Sequence, residues 1–142
     1  MCFYKSDLES DRRYKVSDKD IPCYKMVMLG SGSDIGISEV VGFQYQVGCT
    51  YVENSVPLGE LDDPGLEILT GGVFHSYIRL SLGVLLPYHS FNRTKGCNIY
   101  YIMDCVIPAG TPYWENSEMN EFASTSIRIL GLRDFETCKE LK

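Results

Sequence analysis

The chain has 142 residues, of which 44% are hydrophobic and 23% are charged. This composition is typical of a folded globular protein and excludes a chain disordered throughout, a collagen and a coiled coil. Thirteen basic residues against nineteen acidic ones give a net charge of −6, which argues against a protein that tracks nucleic-acid phosphates. The length favours one domain. We therefore expect an N-terminal arm over residues 1–19 and a single globular domain over residues 20–142.

The N-terminal residues and the cysteines predict a cytoplasmic protein. The first residues are charged and lack the apolar core of a signal peptide. The most apolar stretch, residues 78–86, contains Arg79 and is too short to span a bilayer. Without a secretory signal we expect the six cysteines to be reduced thiols, and because they include no C-x-x-C pair we expect no metal site. Cys23, Cys49 and Cys105 lie in or beside apolar runs, which indicates small core residues.

The first half of the chain predicts short strands separated by turns. Ile21–Leu29 alternates in the manner of a strand with one strongly buried face. The glycine-rich residues 30–36 follow as a turn, and residues 39–45 form a second strand candidate. Thr50–Val52 is a short third candidate, and the Pro-, Gly- and Asp-rich residues 54–65 form a loop.

The second half adds one short helix and the clearest strand. A helix is predicted over residues 77–86 and ends at Pro87. Residues 98–107 are almost continuously apolar and rich in β-branched and aromatic side chains, which predicts a central strand buried on both faces. Residues 113–114 and 121–130 complete the strands. The sum is five to seven short strands with one short helix, a β-rich α+β domain.

Several blocks of residues occur in the order found in one family of small proteins. They are Asp20-Ile21-Pro22-Cys23-Tyr24-Lys25, residues 42–48 (GFQYQVG), Phe74-His75-Ser76-Tyr77, residues 105–113 (CVIPAGTPY) and Glu121-Phe122-Ala123-Ser124. In this order the chain resembles a family of uncharacterised proteins from bacteriophages and prophages, often of gut Bacteroidales hosts.

This resemblance implies a phage or prophage origin rather than a particular activity. It suggests an accessory protein of the host-cell cytoplasm that acts on host machinery or on defence systems. Ala109 stands where the family pattern usually has lysine, which removes a positive charge from that turn and weakens any anion-binding role there.

The four-residue box at 74–77 is the first candidate site. It offers an imidazole, a hydroxyl and a phenol, and in an extended segment His75 and Tyr77 share one face. Together with Ser76 they could then hydrogen-bond a ligand. The alternative is a histidine that satisfies buried backbone groups at a strand–helix junction.

A second candidate site lies near the C-terminus. Glu118, Glu121 and the string Ser124-Thr125-Ser126 resemble parts of ADP-ribosyltransferases, which position the nicotinamide ribose with a glutamate. Here the serines follow the glutamates and the spacing is E-x-x-E instead of E-x-E. The hypothesis requires Glu121 to face the same cleft as His75 and Tyr77. The candidate ligand-binding residues are thus His75, Ser76, Tyr77, Glu121 and Ser124.

The aromatic residues offer candidate partner contacts. Ten tyrosines accompany the single tryptophan, and exposed rings are good anchors because they present a large surface at low entropy cost. We select those in polar or turn contexts: Tyr51, Tyr88, Tyr113 and Trp114. Ordinary packing of a β-rich protein is the alternative.

Three functions remain open at this point. The favoured one is a non-enzymatic, phage-type binding module that engages a host protein or sequesters a small ligand such as a nucleotide. The alternatives are an ADP-ribosyltransferase-like enzyme that uses NAD and a structural component of the virion. The glycine-rich loop G-x-G-x-x-x-G lacks the spacing of a dinucleotide fingerprint, so no cofactor is predicted. Self-association is left open.

Overall fold

The computed structural model describes residues 3–4, 14–30, 34–38, 43–53, 67–68, 73–95 and 100–134. The strands of these segments are β1 (Phe3–Tyr4), β2 (Lys15–Val16), β3 (Ile21–Leu29), β4 (Ile35–Ser38), β5 (Gln44–Gln46), β6 (Thr50–Val52), β7 (Glu67–Ile68), β8 (Phe74–Tyr77), β9 (Tyr100–Ile107), β10 (Pro112–Asn116), β11 (Glu121–Ser124) and β12 (Ser126–Arg133). One helix, α1 (Leu82–Lys95), lies between β8 and β9.

Ten of the described strands form one sheet in which every pair is antiparallel. Its order is β2-β10-β11-β8-β3-β9-β12-β6, and β4 joins the far end of β3 and carries β5 on its other side. Strands β1 and β7 pair separately. The sheet therefore accounts for most of the described chain.

The predicted central strand is confirmed. Strand β9 lies between β3 and β12, and its register with β3 runs without interruption from Ile21 opposite Ile107 to Met28 opposite Tyr100. Ile102 and Met103 are neighbours in sequence, point to opposite faces, and are both fully buried. Such a strand needs a packed layer on each side.

Both faces of β3 are buried, although the alternation predicted one strongly buried face. We call the face that carries Cys23 and Val27 the inner face and the face that carries Met26 and Ile102 the helix face. The inner face packs on apolar residues of β9, β11 and β12 and on the Tyr45 ring. The helix face packs on Leu85 of α1.

The helix differs from its prediction at both ends. It begins at Leu82 because Ser81 caps it: the Ser81 carbonyl accepts the N–H groups of Val84 and Leu85, each at 3.0 Å. It then continues through Pro87 to Lys95. Proline removes one helical hydrogen bond, but packing of Leu85 against the sheet outweighs that loss.

The predicted α+β class is wrong. The described residues form a β-rich fold dominated by one ten-stranded antiparallel sheet, with a single helix of 14 residues. One reason is that the predicted last strand, residues 121–130, is two strands that break at Thr125 and pair with different neighbours. Short strands that change partners at such breaks cannot be counted from local patterns.

The remaining predicted elements of the first half are partly recovered. Thr50–Val52 is a strand, as predicted. Of the second candidate, residues 39–45, Gln44 and Tyr45 lie in β5, whereas residues 39–42 lie outside the described residues. The predicted loop over residues 54–65 also lies outside them. Within residues 1–19, Lys15–Val16 pairs with β10 at the edge of the sheet.

We predict that Gly36→Ala destabilises the fold. A Cβ at Gly36 would lie 2.5 Å from Met103 Cε and 2.7 Å from Val27 Cγ2, so the inner face has no room for it. Overpacking of this kind should lower the free energy of unfolding by about 1–3 kcal/mol, measured by urea denaturation. Gly131→Ala is the matched control, because no described atom lies within 4 Å of its Cβ position. Equal stability of the two variants would contradict the prediction.

Candidate functional site

Strand β8 and strand β11 bring three of the predicted site residues together. Residues directly opposite in an antiparallel pair share a face, and Glu121 lies opposite Tyr77 while Ala123 lies opposite His75. His75, Tyr77 and Glu121 therefore all lie on the helix face. The prediction that His75 and Tyr77 share one face is confirmed, since β8 is extended.

His75 and Glu121 form a close, largely buried pair. His75 Nδ1 lies 3.3 Å from Glu121 Oε1, and their side chains are only 17% and 5% exposed. The contact lacks the alignment of a hydrogen bond, and no described residue pairs with Glu121 Oε2. A buried carboxylate without a full set of donors is costly, and the imidazole beside it offsets part of that cost.

The two predicted serines do not join this pair. Ser76 and Ser124 project to the inner face, because each neighbours in sequence a residue of the helix face. The Ser124 hydroxyl donates to the carbonyl of Ser126 at 2.9 Å and is fully buried. The predicted set of ligand-binding residues is thus divided between the two faces of the sheet.

The predicted partner anchors are also divided. Trp114 cannot serve as an exposed anchor: it is 1% exposed, and the Tyr14 ring packs edge-on against it with centroids 6.0 Å apart. The reason is its register opposite Ala123, which directs it to the covered helix face. Tyr113 packs on Phe122, and Tyr51 packs in an aromatic cluster on the inner face, so both are half-buried. Tyr88 lies in a groove.

The groove that contains Tyr88 is an open cavity between the helix, the helix face of the sheet and the β10–β11 turn, and we call it the α1 groove. Its volume is about 490 Å³. The lining residues are mostly aromatic or aliphatic: Tyr77, Gly83, Val84, Pro87, Tyr88, Phe91, Tyr100 and Met119. Two of the residues selected from the sequence, Tyr77 and Tyr88, therefore share one concave surface.

Gly83 and Pro87 explain why a concavity exists at this side of the helix. They are four residues apart, so they lie one above the other on the same side. Pro87 has no N–H to donate to the Gly83 carbonyl, and helices bend at such a break. A Cβ at Gly83 would meet, among the described atoms, only Ser81 Oγ at 3.8 Å. The missing side chain thus leaves open space.

The aromatic wall of the groove is built around Tyr100. Its ring lies 4.9 Å from that of Tyr88 and 5.2 Å from that of Phe91, both edge-to-face. The backbone of Tyr100 is fixed to the helix by Asn92: the Tyr100 N–H donates to Asn92 Oδ1 at 2.9 Å, and Asn92 Nδ2 donates to the Tyr100 carbonyl at 3.0 Å. The groove wall is therefore held in place before any ligand binds.

A second polar cluster lies on the inner face around Lys25. Its ammonium donates to the carbonyl of His75 and lies 5.1 Å from the centroid of the Tyr45 ring. Burial lowers the pKa of Lys25 below its ordinary value, and the neighbouring Cys105, Cys23 and Glu121 act in the opposite direction. Burial also raises the pKa of Tyr45. The half-buried Lys25 amine thus lies directly behind the strand that carries His75.

The sequence reading missed Lys25, Gly83 and Pro87 as site residues. The signal for Lys25 was its place between Cys23 and Val27 at alternate positions of an apolar strand, where a lysine must be buried or end the strand. For Gly83 and Pro87 the signal was their four-residue spacing, which matters only once the helix is known to continue past the proline. No such local signal joins Glu121 to His75.

Among the described residues, no cluster of three or more histidine, cysteine, aspartate or glutamate side chains could hold a metal ion. No helix in the described part of the chain has the length and apolar character needed to span a membrane. No family model, no curated protein and no solved structure matches the chain. The functional assignment therefore depends on the geometry of the site itself.

We predict that the His75–Glu121 pair is energetically coupled. His75→Ala leaves the Glu121 carboxylate buried without its neighbour and should cost about 3 kcal/mol of unfolding free energy. Glu121→Gln in the same chain carries no charge and should recover at least about 1 kcal/mol of that loss. The full double-mutant cycle, including Glu121→Gln alone, is measured by chemical denaturation. Additive effects of the two substitutions would show that the contact is not an interaction.

We predict a pH-dependent difference in stability between the native chain and Lys25→Met. The native pKa of Lys25 is lowered, so the unfolded chain binds more protons between that pKa and the ordinary value of 10.5. The stability of the native chain relative to Lys25→Met should therefore rise with pH in this window, by up to about 1.4 kcal/mol per pH unit.

Lys19→Met is the control for this experiment, because Lys19 is an exposed lysine. Denaturation curves at a series of pH values up to the ordinary lysine pKa measure all three chains. A difference between native chain and Lys25→Met that stays constant, or that falls as the pH rises, would contradict burial of the ammonium.

Proposed function

We propose that this chain is a non-enzymatic binding module that sequesters a small ligand with a planar aromatic group, of the nucleotide class, in the α1 groove. The observation that carries the proposal is the groove itself, about 490 Å³ in volume and lined by the rings of Tyr77, Tyr88, Phe91 and Tyr100. The resemblance to phage and prophage proteins suggests the setting, an accessory protein in the cytoplasm of a host cell.

The size and lining of the groove suit a small molecule better than a protein segment. Small-ligand sites typically enclose about 300–1,000 Å³ and combine apolar walls with a few polar groups. Aromatic rings bind planar ligands by stacking and edge-to-face contacts, at separations of about 4.5–7 Å between centroids. A nucleobase meets both requirements, since it is flat and of the right size.

A positive charge near one end of the groove supports a ligand that carries phosphate. Arg79 is exposed, and its N–H donates to Asn120 Oδ1 at 2.9 Å while its carbonyl accepts Asn120 Nδ2 at 2.8 Å. These bonds fix the Arg79 backbone beside Met119, which lines the groove. The exposed side chain that starts from this backbone carries a guanidinium, which would favour a ligand with a phosphate over a neutral nucleoside.

Binding without chemistry follows from where the titratable pair lies. Neither His75 nor Glu121 is among the described residues that line the groove, and Glu121 is 4% exposed. A catalytic group must reach the bond that it breaks, directly or through one water. The described lining offers a ligand aromatic rings, tyrosine hydroxyls and aliphatic side chains, a set that suits recognition of a base.

We predict that Gly83→Phe weakens binding of adenosine monophosphate without unfolding the chain. The new side chain would project from the helix into open space of the groove, and glycine contributes little to helix stability. Isothermal titration calorimetry should show saturable binding to the native chain and at least about tenfold weaker binding to Gly83→Phe.

Two controls accompany this experiment. Gly83→Ala should keep the affinity, because it fills little of the groove, and Leu86→Ala changes an exposed helix residue that does not line it. Adenosine should bind more weakly than its monophosphate, and Arg79→Ala should remove that difference. No saturable binding of adenosine monophosphate to the native chain, or equal binding to Gly83→Phe, would contradict the proposal.

A further inference from the structure

Two cysteines face each other at the centre of the sheet. Cys23 of β3 lies directly opposite Cys105 of β9, so both side chains project from the inner face. They are 0% and 2% exposed, and both are free thiols. Directly opposite residues of an antiparallel pair have Cα atoms about 4.5–5.5 Å apart, within the range of about 4.4–6.8 Å that a disulfide spans.

The surroundings of this pair differ from those of an inert core thiol. The hydrogen bond with Cys105 lowers the pKa of Cys23 against the effect of burial, and Ser76 and Lys25 act in the same direction as that bond. Burial, and then the hydrogen bond with Cys23, raises the pKa of Cys105. One sulfur is therefore disposed toward the thiolate form, while its neighbour holds a proton.

The strand pairing next to Cys23 is short on the β8 side. Within the described residues, the β3–β8 ladder contains one register pair, Tyr24 opposite Tyr77, and beyond it the Lys25 ammonium replaces a backbone N–H at the His75 carbonyl. A seam with so few backbone bonds opens more readily than the continuous β3–β9 ladder. Local opening of this seam would expose Cys23 to a small oxidant such as hydrogen peroxide.

From this geometry we infer that Cys23 and Cys105 form a cross-strand dithiol that a peroxide converts into an internal disulfide. The Cys23 thiolate attacks one oxygen of hydrogen peroxide, the O–O bond breaks, and the departing hydroxide takes up a proton to become water. The sulfenic acid that remains on Cys23 is then attacked by the Cys105 sulfur. The S–S bond forms, and a second water leaves with the Cys105 proton. Both sulfurs are oxidised, and one peroxide is reduced to two waters.

The inference does not depend on the proposed groove ligand, and mass spectrometry tests it directly. The full native chain is treated with hydrogen peroxide, unfolded in iodoacetamide and digested without reductant. We expect a cross-linked pair of peptides that contains Cys23 and Cys105, about 2 Da lighter than the sum of the two thiol peptides. In Cys23→Ser the cross-link should disappear, whereas in Cys49→Ser it should persist, because Cys49 is exposed and outside this pair.

Two results would overturn the inference, and both come from the native chain itself. One is recovery of Cys23 and Cys105 as alkylated thiols under conditions that oxidise the exposed Cys49. The other is a Cys23–Cys105 cross-link that forms only when peroxide is added in denaturant, which would show that the folded sheet does not support the reaction.

Discussion

The long pairing of β3 with β9 is the constraint on which the rest of the structure depends. Eight consecutive residues of each strand are in register, and both strands carry buried side chains on both faces. An apolar ribbon of this kind has no face that can be left to solvent, so each face requires a cover. The helix covers one face, and aromatic and aliphatic residues of the outer strands cover the other.

The free side of β3 is divided between two partners, and this division shapes the functional strand. Strand β4 pairs with the end of β3, and β8 meets it only at Tyr24. The Lys25 ammonium completes the connection by binding the backbone of His75. A side chain thus replaces part of the backbone ladder on the β3 side of β8, whereas on its other side β8 pairs with β11 through all four of its residues. Side chains of β8 consequently reach both the His75–Glu121 pair and the groove.

The sequence was informative where structure is determined locally. Composition identified β9, and the two-residue period placed His75 and Tyr77 on one face. The sequence was not informative where the structure depends on contacts between segments that are distant in the chain. The helix passes Pro87 because Leu85 packs on the sheet, and Trp114 is buried because β10 turns back onto β11. The hypothesis that Glu121 faces the same cleft as His75 came from a resemblance of motifs, and the β8–β11 register that brings the two together has no local signal. The strand count and fold class failed for the same reason.

The two strands at the ends of the main strand order are very short: β2 has two residues and β6 has three. A free edge is a template on which another chain can add its own strand, and long apolar edges nucleate fibrils. A two- or three-residue edge exposes too few amides to hold an incoming strand in register. Strands β3 and β9, the most apolar of the long strands, lie between neighbours in the sheet, so these segments are shielded from amyloid-type stacking as long as the chain stays folded.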